Sequence, residues 1–102
     1  MESKMKNLRE LTIPQKAKDD KNSFELSRIW IASGELQISL LTGVWEDPAS
    51  WGIALVDLMK HIANGYSLNQ NENKTDILLR IKEGFDAEWS SPTDEPSGNI
   101  VD

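Results

Sequence analysis

Apolar and polar residues alternate with a period of two along "FELSRIWIASGELQISLLTG", residues Phe24 to Gly43. That period belongs to strands, because successive side chains point to opposite faces. Isoleucine and tryptophan suit a pleated surface, and Ser33-Gly34 breaks the alternation where glycine makes positive φ cheap. The segment predicts a β-hairpin. A two-residue turn sets Ala32 across from Glu35, Ile31 across from Leu36 and Ile29 across from Ile38; a bulged turn would shift the register by one. One face then carries Ile29, Ile31, Leu36, Ile38 and Leu40 and is plainly apolar. The other carries Leu26, Arg28, Trp30, Gln37, Ser39 and Leu41, apolar residues mixed with an arginine.

The period lengthens to that of a helix in "WEDPASWGIALVDLMKHIANGY", Trp45 to Tyr66. Proline fits a first helical position, where its missing N–H would have no partner anyway, and Asp47 caps from just outside. The pattern predicts a helix from about Pro48 to Asn64, stopped by Gly65. Trp51, Leu55, Leu58, Met59, Ile62 and Tyr66 share a stripe, widened by Gly52, Val56 and Ala63. Gly52 on that face would let a sheet approach closely, and Trp45 is placed to fold back near Trp51. A second helix over "KTDILLRIKEGFDAEW" follows Asn73, whose spacing to Asp76 is that of a capping box. It lines up Ile77, Leu78, Ile81, Phe85 and Trp89, with Arg80 and Glu83 spaced to pair on the opposite side. Gly84 is unfavourable inside a helix and predicts a crowding neighbour.

Residues 1–22 lack sustained periodicity and read as a flexible or extended segment, with "LTIP" (Leu11–Pro14) as a candidate third, N-terminal edge strand. Residues 90–102, "SSPTDEPSGNIVD" from Ser90, read as a flexible tail. The body is one α+β domain over residues 23–89: a β-hairpin packed on one face by two α-helices, in the order β-β-α-α. A domain this small buries only about 60% of its unfolded surface and is marginal alone. Two helices cover one face of a hairpin, and both faces here are enriched in apolar residues. A homodimer is the expectation, with Leu26, Trp30 and Leu41 in or near the contact.

Composition trims the functional classes. The 102 residues carry a net charge of −6, which repels a phosphate backbone, and the lysines of residues 4–21 are interleaved with acids. Neither nucleic acid nor membrane is expected as a partner. With no cysteine and one histidine, disulfides and thiolate metal sites are excluded, and no cofactor is implied. No apolar run approaches a membrane span or a signal peptide, so a cytoplasmic protein is the expectation.

Chemistry-bearing residues are few. Asp57 and His61 lie four apart on the first helix, the spacing at which a carboxylate orients an imidazole. They would serve a small enzyme as an acid/base pair beside an aromatic pocket from Trp45 or Trp51. No nucleophile elbow or phosphate loop joins them, and surface ion pairs are commoner than catalytic ones. Glu46, Asp47 and Asp57 match no calcium loop. Trp45 and Trp51 read as corner packing. Arg28 beside Trp30 combines two residue types over-represented at binding hot spots, which points to a non-enzymatic association or partner-binding surface with Gln37 and Ser39 as polar contacts. A small-molecule groove lined by Trp30 and Arg28 is the sharper alternative.

The chain resembles a bacterial family of small proteins, domain of unknown function 5076, over about residues 24 to 94. The resemblance rests on Trp45-Glu46-Asp47-Pro48, Trp51-Gly52, Leu55-Val56-Asp57 with His61, and Ile81-Lys82-Glu83-Gly84-Phe85. It implies a free-standing domain in a bacterium and transfers no activity or site residue.

Overall fold

The structure is a computed structural model and describes residues 9–93 and 97–101. In chain order the elements are α1 (Gln15–Asp19), β1 (Ser27–Ala32), β2 (Glu35–Leu41), α2 (Ala49–Gln70), α3 (Lys74–Ser90) and β3 (Ser97–Val101). The hairpin and the two long helices follow one another as β-β-α-α. The hairpin register is the unbulged one: Ile29 faces Ile38, Ile31 faces Leu36 and Ala32 faces Glu35. Ser33 and Gly34 both take left-handed backbone, at φ 55° and 76°. That is the primed turn whose twist matches the strands. The ladder runs one step past β1, where the Leu41 N–H donates to the Leu26 carbonyl at 3.0 Å.

The third strand is not N-terminal. Leu11–Pro14 forms no strand; Pro14 instead starts α1, its carbonyl accepting from the N–H groups of Ala17 and Lys18. A proline carbonyl can open a helical turn although its ring nitrogen has nothing to donate to a sheet. The third strand is β3, which pairs parallel to β2 from Gln37↔Ser97 to Leu41↔Val101, so β2 is central. It lies within the stretch expected to be a flexible tail. Gly98 is required there: a Cβ would overlap the backbone carbonyl of Ile38.

Local signals explain the helix ends. The Asp47 carboxylate accepts the Ala49 N–H at 3.0 Å, and the carbonyls of Asp47 and Pro48 take the N–H groups of Ser50 and Trp51. Contrary to expectation, α2 runs through Gly65 to Gln70 and ends on Asn71, which is left-handed at φ 55°. An interior glycine costs about 1 kcal/mol but does not break a helix. Asn71 supplies the true stop: its N–H donates to the Ser67 carbonyl, and Ser67 Oγ donates to the Glu72 carbonyl at 2.8 Å. In α3 the Asn73 side chain accepts the Asp76 N–H at 3.1 Å, and Arg80 pairs with Glu83 at 2.9 Å, both at the positions read from sequence.

Packing departs most from expectation. The three-residue link Asn71–Asn73 lays α3 against α2, and Ala63 is fully enclosed. Among the helices and strands, each strand is in close contact only with other strands and none with α2 or α3. The helices therefore do not roof the hairpin within this chain. Gly52 and Gly84 accordingly face open space, not a sheet or a crowding neighbour. Ala63 is the one buried hydrophobic residue among those described. The chain exposes 9126 Å², against about 5,800 Å² for a compact chain of 11.5 kDa. Its radius of gyration is 16.1 Å, where about 13 Å is usual for 100 residues.

Candidate functional site

Arg28 leaves β1 on the mixed face and is held by two acids. Its Nη1 lies 2.7 Å from Glu10 Oε2, and its Nε lies 2.7 Å from Glu25 Oε1. The hydrogen bonds that Arg28 donates to Glu25 and then to Glu10 hold the guanidinium above its ordinary pKa. Glu10 reaches Arg28 because the chain before α1 lies beside β1, the two lining one groove. Between that segment and β1 lies an open groove of about 610 Å³, with Leu11, Ile13, Phe24 and Trp30 among its apolar walls and Arg28 and Glu10 at its polar side. Trp30 is half-buried, as are Leu26, Gln37, Ser39 and Leu41. Sequence reasoning placed Arg28 and Trp30 on this face but missed Glu10, one acid among several in a mixed-charge segment with nothing to single it out.

The plain apolar face is the barer one. Ile29 is 57% exposed, Ile31 72% and Leu36 44%. The stripe of α2 expected to cover it is bare as well: Leu55, Leu58, Ile62 and Tyr66 are all exposed. Two apolar surfaces that the sequence pairs with each other thus face solvent in one chain.

The acid/base candidates gain nothing from the fold. Asp57 and His61 are both exposed, make no hydrogen bond or ion pair with each other, and lie outside the groove beside Arg28. Trp45 and Trp51 meet edge to face, centroids 5.0 Å apart with 80° between planes, a corner clasp at the start of α2 away from the groove. Among the described residues no three of His, Asp and Glu gather to hold a metal, and no helix is long and apolar enough to cross a membrane.

Hairpin, helical hairpin and groove define a small α+β domain with a largely open interior. The chain belongs to the family described as Domain of unknown function (DUF5076), whose model matches residues 10–93. No protein of curated function matches it. It is similar to a solved chain from the photosynthetic bacterium Rhodopseudomonas palustrus CGA009, described as "a putative pyruvate dehydrogenase". The two are 32% identical; the likeness covers 86% of this chain and 90% of that one, with a TM-score of 0.68.

Proposed function

We propose that the chain is a non-enzymatic, self-associating domain of a bacterial cytoplasmic protein, and that a second copy completes its apolar interior. One observation carries this reading: the sheet and the helix pair, each with an apolar face, do not pack against each other, and Ala63 alone among the described hydrophobic residues is buried. A folded chain with so little interior has too little hydrophobic stabilisation to offset its ordering entropy. The association surface is then the aliphatic face with Ile29, Ile31 and Leu36, in place of the mixed face expected from sequence. On the mixed face Arg28 holds the chain's own Glu10, while Trp30 shapes the groove.

The description of the solved relative suggests enzymatic chemistry. Against that, His61 and Asp57 in this chain are exposed, make no hydrogen bond or ion pair with each other and lie outside the groove beside Arg28, which favours the non-enzymatic reading. Sedimentation equilibrium at micromolar concentration tests it. A dimer is expected, with a melting temperature that rises with protein concentration. A strict monomer with a cooperative melt independent of concentration would overturn it.

A further inference from the structure

Resting on that self-association, we infer that the dimer is an exchange: the α2 stripe of each copy roofs the aliphatic sheet face of the other. The two surfaces are matched in chemistry. From Leu58 through Ile62 and Leu55 round to Val56, half the circumference of α2 carries no aspartate, glutamate, lysine or arginine. The facing side chains of the hairpin, Ile29, Ile31, Leu36, Ile38 and Leu40, are uncharged too. Part of the half-circumference is already used: α2 packs against α3, Ala63 is buried and Met59 is half-buried. The rest, Leu55, Leu58, Ile62 and Tyr66, keeps 40–49% of its surface exposed.

Area and layering favour this occupant. The whole chain exposes about 3,300 Å² more than a compact chain of its mass, and an exchange draws on that excess at two symmetric contacts, each joining a sheet face to an α2 stripe, toward the ~2,000–5,000 Å² that obligate homodimers bury. Helices packed on one side of a sheet form a stable α+β layer, and a two-fold axis lets one such contact occur twice.

The sequence has no cysteine, which makes site-directed cross-linking clean. Ile31→Cys in one chain and Leu58→Cys in a second, tagged chain are refolded together and treated with a short bis-maleimide. Ile29→Cys with Ile62→Cys is the second pair, used if either first variant loses its far-ultraviolet dichroism. The exchange predicts a shift of the mixture to the mass of one tagged plus one untagged chain, with each single variant alone left at monomer mass on denaturing gels. Efficient cross-linking of Ile31→Cys to itself would overturn the exchange, since the sheets would then meet. So would an internal cross-link in the double variant Ile31→Cys/Leu58→Cys without mixed product. A dimer in sedimentation with no mixed product overturns the exchange and leaves self-association standing. A monomer in sedimentation overturns both.

Discussion

Ile31 sits directly across the hairpin from Leu36, and both face solvent on the same side of the sheet. A cross-strand aliphatic pair next to a tight turn is ordinarily part of a core. If a second copy covers it, Ile31→Glu should cost about 1.5–3 kcal/mol at each of two symmetric sites, raising Kd roughly a hundred-fold or more. Leu68 is the control. It is 85% exposed and shares the polar side of α2 with Asp57 and His61, so Leu68→Glu should leave the sedimentation profile unchanged. Equal effects from both substitutions would mean that association is non-specific.

Ser33 takes left-handed backbone at φ 55° without the freedom of glycine. Asparagine tolerates that region better, and Asn-Gly is the favoured primed turn. Ser33→Asn should stabilise the protein by about 0.5–1 kcal/mol, read as a higher urea midpoint at fixed protein concentration with an unchanged m-value. A lower midpoint would show that Ser33 has a contact that outweighs its backbone strain.

What was legible in the sequence was local. The Ser33-Gly34 turn, the hairpin register, the Asp47 and Asn73 caps, and the meeting of Trp45 with Trp51 all depend on residues close in sequence or on one short turn. Gly65 misleads because a glycine's propensity cost resembles a stop signal; the left-handed residue, Asn71, lies six positions on. β3 was illegible because five residues in a serine- and proline-rich stretch show no alternation, and a parallel partner leaves no turn signal. The site was half legible. Alternation put Arg28 beside Trp30, but nothing local tells that Glu10 reaches Arg28 across 18 residues. Hydrophobic pattern also says which faces must be covered without saying by which chain, so the helices were assigned to their own hairpin.

The corner before α2 should behave as a coupled unit. Asp47→Ala removes the acceptor for the Ala49 N–H and should cost about 1 kcal/mol. In a double-mutant cycle, Trp45→Leu and Trp51→Leu should couple by about 0.5–1.5 kcal/mol, the usual worth of an edge-to-face pair beyond its buried area. Additive losses would mean that the rings touch without mutual stabilisation.

The Arg28–Glu10 pair ties the segment before α1 to the sheet. Both side chains are nearly half exposed, so the tie is weak and screened by salt. Glu10→Gln should speed tryptic cleavage at Lys16 and Lys18, and added salt should shrink the difference between variant and wild type. The pH response has a fixed sign. The pKa of Arg28 is raised, so its contribution is complete below the ordinary arginine range and is lost only as pH climbs through the raised value. Deprotonation of Arg28 therefore adds nothing to the response between pH 5 and 9. Unchanged proteolysis in the variant would show that the groove walls, not the ion pair, hold the segment.

Gly84 tests which side of the helix pair an associated copy covers. It lies inside α3, and a Cβ there would meet nothing within 4 Å. In an open helix, Gly→Ala gains about 0.5–1 kcal/mol by reducing the entropy of the unfolded backbone. In a covered helix the same methyl must displace a neighbour and the gain turns into a loss. The exchange places the partner's sheet on α2, not on the Gly84 side of α3. Gly84→Ala should therefore raise the urea midpoint at every protein concentration and leave the dimer dissociation constant unchanged. A variant that gains stability when dilute and loses association when concentrated would put a second chain against α3, and the contact would have to be redrawn with Gly84 inside it.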